Sequence, residues 1–178
     1  MTMPLAEDLR GTLIVPVPEA EPLVGRWRME HDPPAPFGIP AHIMLHFPFR
    51  PARWLGEQVV AGLAAFFRAA HPANVSLTHV GRFPGILYLA LEPAEPFVEL
   101  TRQLSARFDL LPYGRAGGGR TPHLTVARHE DPSFLDRLAD NLAPSLPLAF
   151  AMREAWLMER DEAGSWHRTE TFAIGDGG

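Results

Sequence analysis

Two short apolar segments of this sequence each carry a histidine just after a proline. The first spans residues 42–49 and begins with His42, and the second spans residues 123–128 and begins with His123. Because side chains alternate between the two faces of a strand, each segment is predicted to bury one face and present its histidine on the other. Two imidazoles that face each other across a cleft can serve as a general acid and a general base. The pair therefore predicts acid–base chemistry.

Strict alternation also predicts which neighbours share a face with each histidine. Met44 and His46 fall on the face of His42, and Thr125 falls on the face of His123. A hydroxyl at Thr125 would lie beside its histidine and could donate a hydrogen bond to a substrate oxygen. The same alternation puts Arg128 on the face opposite His123. It thus favours Thr125 over Arg128 as a neighbour of His123.

The spacing of apolar residues predicts the elements that position these segments. Helical spacing recurs in four stretches, which are residues 19–30, 54–71, 94–108 and 131–141. Strand-like runs bounded by prolines and glycines occur at residues 12–18, 75–82 and 86–91. The end of the chain has the pattern of a long hairpin, with arms at residues 146–160 and 165–174.

The order of these elements is similar in the two halves of the chain. Strands that alternate with helices of this length predict an α+β fold with mostly antiparallel sheets. We therefore expect two pseudo-symmetric lobes, each a mostly antiparallel sheet with helices on the outside, around a central cleft. Residues 1–178 are expected to form a single bilobal domain, with one histidine segment on either side of the cleft.

The composition excludes several classes of site and ligand. The chain has no cysteine, which rules out disulfides, thiolate nucleophiles and zinc–cysteine sites. Its formal charge of −5 is unusual for a protein that holds long nucleic acid through phosphates, so a nucleotide ligand is expected to be small. Residues 1–10 lack the apolar part of a signal peptide, and no run reaches the ~20 apolar residues of a membrane span. These features predict a cytoplasmic protein without membrane association. We expect it to be a monomer.

Both histidine segments resemble the paired motifs of the two-histidine phosphoesterase superfamily, which includes 2′-5′ RNA ligases and cyclic phosphodiesterases. Members carry two copies of His-x-Thr/Ser-x, in which x is apolar. Here the copies are residues 42–45 and 123–126, whose histidines are 81 positions apart in the sequence. Prolines precede both copies, and the resemblance extends over nearly the whole chain.

The resemblance implies a reaction that needs no metal and no other cofactor. One histidine would activate water, or an RNA hydroxyl, to attack the phosphorus of a cyclic phosphodiester, and the other would protonate the leaving ribose oxygen. It implies His42 as the general acid, His123 as the general base and Thr125 as a ligand of a phosphate oxygen. The expected activity is hydrolysis of a 2′,3′-cyclic or related phosphodiester. The expected substrate is a small nucleotide or an RNA end that carries a cyclic phosphate.

One residue of the motif departs from the pattern, because position 44 is Met44 where the motif has a threonine or serine. A thioether cannot donate a hydrogen bond, so one of two phosphate-binding hydroxyls would be missing. His46, predicted on the same face, is a candidate replacement. Further candidates for phosphate or base contacts are Tyr113, Arg115, Arg120 and Arg128.

Three alternatives to hydrolysis remain open at this stage. The chain could ligate RNA ends through a 2′-5′ linkage, as other members of the superfamily do. It could bind nucleotides or phosphate without reaction, since Met44 removes a catalytic hydroxyl. It could hold a metal ion between His42, His46 and either His123 or His129, because histidines on one strand face suit a metal.

Overall fold

The computed structural model describes residues 11–50, 55–110 and 121–175. The strands are β1 (Gly11–Pro16), β2 (His42–Phe49), β3 (Ala73–Phe83), β4 (Ile86–Glu92), β5 (His123–Arg128), β6 (Leu148–Met152), β7 (Glu154–Arg160) and β8 (Trp166–Ala173). The α-helices are α1 (Glu21–His31), α2 (Gly56–Ala69), α3 (Glu95–Phe108) and α4 (Pro132–Leu142). None of the described helices is long and apolar enough to cross a membrane.

The eight strands form two antiparallel sheets that are built alike. The first sheet has the order β2-β1-β7-β8, and the second has the order β5-β4-β3-β6. In both sheets the strand that begins with a histidine lies at the edge, beside the strand that precedes it in its half of the chain. The predicted α+β fold with two pseudo-symmetric, mostly antiparallel sheets is therefore confirmed.

The connecting helices tie the two sheets together. Helix α1 follows β1 of the first sheet and packs against β5 of the second, while α3 follows β4 of the second sheet and packs against β2 of the first. The two histidine strands, β2 and β5, are also in direct contact. The crossed packing therefore brings the two edge strands side by side.

One face of each histidine strand belongs to the hydrophobic core. Ile43 and Leu45 of β2 and Leu124 and Val126 of β5 are fully buried, with exposed fractions of 0%. The predicted apolar faces are confirmed for these four residues, whereas Phe47, which alternation places on the same face as Ile43, is only half-buried. Burial of each such side chain stabilises the fold by about 1.5–3 kcal/mol, which holds both strands in one orientation.

The end of the chain differs from the predicted hairpin. The arm predicted at residues 146–160 is divided between two sheets, because β6 pairs with β3 of the second sheet and β7 pairs with β1 and β8 of the first. The chain changes sheets at Arg153, whose carbonyl accepts a hydrogen bond from Ile174 at 2.7 Å. Apolar residues recur through both strands, so the sequence pattern alone does not reveal a change of pairing partner.

Candidate functional site

A β-bulge interrupts the alternation of side chains in the middle of β2. Ile14 of β1 lies opposite Met44, but the preceding residue, Leu13, lies opposite His46, so Leu45 is an extra residue in β2. Residues opposite each other on paired strands share a face of the sheet. His46 therefore shares a face with Leu13 and not with Met44.

The bulge sends His46 to the buried side of the strand. Only 3% of its surface is exposed, and its ring packs edge-on against Phe49 with 6.2 Å between ring centroids. The prediction that His46 shares the face of His42 is therefore wrong. Strict alternation fails here because the inserted residue puts His46 on the face opposite the one that alternation assigns to it. The structure does not bring His46 to the face where it could replace the missing hydroxyl of position 44.

β5 carries the same bulge at the same distance from its histidine. Tyr88 of β4 lies opposite Thr125, whereas Leu87 lies opposite Ala127, so Val126 is the extra residue. In both strands the extra residue follows the histidine by three positions. The two halves of the chain are therefore similar even in the position of a β-bulge, which the pattern of apolar residues does not predict.

This second bulge turns Arg128 toward the face of His123. Arg128 lies opposite Ile86, which shares a face of β4 with Tyr88, and Tyr88 lies opposite Thr125. Arg128, Thr125 and His123 therefore share one face of β5. The prediction that Arg128 points the other way is wrong for the same reason as that for His46.

The two imidazoles are held in the same way. Nδ1 of His42 lies 2.7 Å from the carbonyl oxygen of Pro40, and Nδ1 of His123 lies 2.8 Å from the carbonyl oxygen of Thr121. A carbonyl oxygen only accepts, so each Nδ1 carries the hydrogen and donates it. Nε2 is then the nitrogen through which either ring can exchange a proton, and the carbonyl stabilises the ring when it is positively charged.

Both histidines and their neighbours at the third position of each motif are partly accessible. His42, Met44, His123 and Thr125 are all half-buried, on two strands that contact each other. Several sequence candidates fall outside the described residues, namely Tyr113, Arg115 and Arg120. The structure therefore brings the motif residues and Arg128 onto neighbouring strands, and the other three candidates stay predictions.

An aromatic pair packs against His123, and sequence analysis did not single it out. The rings of Phe83 and Tyr88 stack with centroids 4.4 Å apart, and each lies 5.1 Å from the imidazole. Gly81 makes this possible, because a Cβ at that position would lie 2.3 Å from ring carbons of Tyr88. A glycine inside a predicted strand was the available signal, since it marks a close approach to the backbone.

A surface pocket of about 340 Å³ lies beside this aromatic pair. Phe83, which contacts His123 on one side, is part of its wall, together with His129 and Glu130 from the end of β5. Apolar side chains contribute most of the wall, and Arg82, His129 and Glu130 supply polar groups. Pockets of this kind suit planar ligands with a few polar edges.

The residues of the metal-site alternative are not brought together. Across residues 11–50, 55–110 and 121–175, no group of three or more histidine or carboxylate side chains is arranged to hold a metal ion. His46 lies on the face opposite His42, which removes the pair on which that alternative depended. The candidate site described by the structure brings together His42 and His123 with Thr125 and Arg128 on β2 and β5.

A match to a protein-family model shows the family of this chain. The model of the 2′-5′ RNA ligase superfamily matches residues 16–164, which include both motifs. The chain belongs to this superfamily. No curated protein sequence matches the chain significantly.

Solved structures of similar fold cover nearly the whole chain. The chain superimposes on E. coli LigT complexed with 3′-AMP with a TM-score of 0.61 and 17% identity, covering 94% of this chain and 99% of that one. For TT0787 of Thermus thermophilus the TM-score is 0.63 and the identity 22%, with the same coverage. A crystal structure described as a phosphoesterase matches with a TM-score of 0.59 and 17% identity, covering 95% of this chain and 99% of that one. At these identities the likeness concerns the fold.

Proposed function

We propose that this member of the 2′-5′ RNA ligase superfamily hydrolyses a 2′,3′-cyclic or related cyclic phosphodiester without a metal ion. The observation that carries the proposal is the matched support of the two imidazoles. Each donates from Nδ1 to the carbonyl two residues before it, at 2.7 Å for His42 and 2.8 Å for His123. A shared arrangement of this kind on neighbouring strands suits a pair that exchanges protons with one ligand.

The proposed step uses one imidazole in each protonation state. His123, neutral at Nε2, takes a proton from water while the water oxygen forms a bond to phosphorus. The bond from phosphorus to one ribose oxygen breaks, and His42 gives its Nε2 proton to that oxygen. The product is a phosphomonoester beside a ribose hydroxyl. Proton exchange with solvent then returns both rings to their starting states.

The phosphate oxygens are proposed to meet the other polar groups of the site. Thr125 donates a hydroxyl hydrogen to one oxygen, and Arg128, on the same face, supplies a positive charge. Met44 fills the position at which a second hydroxyl would lie. Tyr113 and Arg120 are proposed as further contacts from the segment that precedes β5.

A nucleotide is the proposed ligand class. Crystal structures of E. coli LigT hold 3′-AMP, NADP+ and ATP. In this chain the pocket beside Phe83 is large enough for a nucleobase, and its aromatic wall adjoins His123. Stacking between a base and an aromatic side chain is worth about 1–3 kcal/mol and tolerates different bases. We therefore propose a small nucleotide or an RNA end as substrate.

The direct test is turnover of cyclic phosphates in the presence of EDTA. Nucleoside 2′,3′-cyclic monophosphates and short RNAs ending in a 2′,3′-cyclic phosphate are incubated with the protein, and the phosphomonoester product is separated. We expect turnover that is lost in both His42→Ala and His123→Ala. A folded protein that converts none of these substrates would contradict the proposal. RNA fragments with a cyclic phosphate and a 5′-hydroxyl, added together, distinguish hydrolysis from formation of a 2′-5′ linkage.

Binding without reaction is the second candidate, and Met44 is the observation that favours it. A missing phosphate-binding hydroxyl slows chemistry while leaving the groove in place. This candidate predicts that nucleotide binding, measured by calorimetry, survives His42→Ala and that no substrate is turned over by the parent protein. Measurable turnover by the parent excludes it.

A further inference from the structure

A buried ion pair lies where α1 ends, next to the site. Arg28 and Asp32 each have only 2% of their side chains exposed. Two nitrogens of Arg28 bind the same oxygen of Asp32: Nε lies 3.2 Å and Nη2 2.8 Å from Oδ2. The third nitrogen, Nη1, donates to the carbonyl oxygen of Ile39 at 3.2 Å. All of the guanidinium's contacts with the carboxylate thus go to one oxygen.

The other oxygen of Asp32 is used differently. Oδ1 is buried and accepts no hydrogen bond from the described residues. The cation it faces is Arg128, whose Nε lies 3.6 Å away. An ion pair that served only the fold would be more stable with both oxygens bonded, because a buried carboxylate oxygen without a donor is costly. The oxygen of Asp32 that Arg28 does not bind is therefore the one that lies near Arg128.

Arg128 is poised between this buried oxygen and solvent. Its side chain is 48% exposed, and its backbone register puts it on the face of His123 and Thr125. The guanidinium is planar, with Nε on one edge and the two terminal nitrogens farther out. With Nε as the nitrogen nearest Asp32 Oδ1, the outer edge formed by the two terminal nitrogens can meet an anion. That fork of two nitrogens matches two oxygens of a phosphate.

We propose that Asp32 is a positioning residue that orients Arg128 toward the substrate phosphate, with Arg28 as its buried counter-charge. The inference rests on the proposed function, because it assigns the phosphate of that substrate to Arg128. Arg28 balances the negative charge of Asp32. An aspartate alone beside Arg128 would cancel its charge and repel a phosphate, whereas the trio of Arg28, Asp32 and Arg128 keeps a net charge of +1. The arrangement holds Arg128 in place and preserves its attraction for an anion.

A double-mutant cycle between Asp32→Asn and Arg128→Gln tests the proposal. In the parent background we expect Asp32→Asn to lower kcat/KM about 10-fold, because the attraction between the carboxylate and the guanidinium of Arg128 is lost. In the Arg128→Gln background we expect the same change to have less than about a twofold effect, because the residue it positions is gone. Equal losses in both backgrounds would overturn the proposal and indicate a purely structural role.

A second variant keeps the test decisive if Asp32→Asn does not fold. Arg28→Met combined with Asp32→Leu replaces the buried charges with apolar side chains of similar size, a change that folded proteins often tolerate. This variant keeps Arg128 but removes its support, and we expect the same roughly 10-fold loss of kcat/KM. Full activity in this folded variant would overturn the proposal.

Binding of inorganic phosphate separates this inference from the proposed function. By calorimetry, we expect the dissociation constant to rise about 10-fold in Asp32→Asn and to be unaffected by Asp32→Asn once Arg128 is replaced with glutamine. This readout needs no turnover, so it tests the inference even if no cyclic phosphate is hydrolysed. Turnover that depends on His42 but not on Arg128 would overturn the inference and leave the proposed function standing.

Discussion

Met44 and Thr125 occupy equivalent positions in β2 and β5. Each follows its histidine by two residues, each directly precedes the extra residue of a bulge, and each is half-buried. One side chain can donate a hydrogen bond and the other cannot. The two strands thus share a local backbone pattern, and at this position only one of them carries a hydroxyl, which makes the pair a matched test of what a hydroxyl contributes.

Restoring the hydroxyl is expected to speed the reaction. In Met44→Thr we expect kcat to rise at least ~10-fold, because loss of one oxyanion donor costs about 10²–10³ in other enzymes. Thr125→Val should lower kcat by a similar factor. The control is Met29→Thr on α1, where the side chain is 55% exposed and the change should leave kcat unaltered. A Met44→Thr variant that folds and is no faster would show that position 44 does not meet the phosphate.

The two histidines are expected to act as a pair with different roles. His42→Ala and His123→Ala should each lower kcat by about 10²–10⁴, the usual contribution of a general acid or base. The parent should have a bell-shaped dependence of kcat/KM on pH, and each variant should lose one limb. His71→Gln, at an exposed position after α2, is the control. Retention of both limbs in either variant would remove that histidine from the mechanism.

His46 is expected to matter for stability and not for chemistry. Its position corresponds to the buried Ala127 of β5, on the face away from His42. We expect His46→Leu to keep kcat within about threefold of the parent, whereas His42→Leu loses activity by the factor expected of an acid or base. Steady-state kinetics and thermal unfolding of both variants check this. A loss in His46→Leu as large as in His42→Leu would show that His46 reaches the substrate.

Gly81 is expected to control the aromatic pair beside His123. In Gly81→Ala the new Cβ would start 2.3 Å from the ring of Tyr88, so the ring must move. We expect a loss of about 1–3 kcal/mol in the free energy of unfolding and a raised KM, because overpacking displaces side chains and backbone. Gly62→Ala is the control, since its Cβ would lie 3.6 Å from Phe108 in ordinary contact. An unchanged KM in Gly81→Ala would show that Tyr88 does not contribute to substrate binding.

Local pattern determined a large part of this protein. Two histidine motifs, the apolar faces that contain Leu124 and Ile43, and the approximate positions of the four helices all follow from side chains that are neighbours in the sequence. The strand order of the two sheets was consistent with the repeated order of elements. Such features are readable because alternation and helical spacing act over a few residues.

Tertiary structure alone decided which residues join the histidines. A bulge depends on how a strand pairs with its neighbour, so one extra residue in each strand put His46 on the face away from His42 and Arg128 on the face of His123. The contact of Tyr88 with His123 and the 3.6 Å approach of Asp32 to Arg128 join residues from separate elements. Spacing along the sequence predicts how side chains alternate on an isolated strand. Pairing with the neighbouring strand sets the register, and the register determines which side chains face the candidate site.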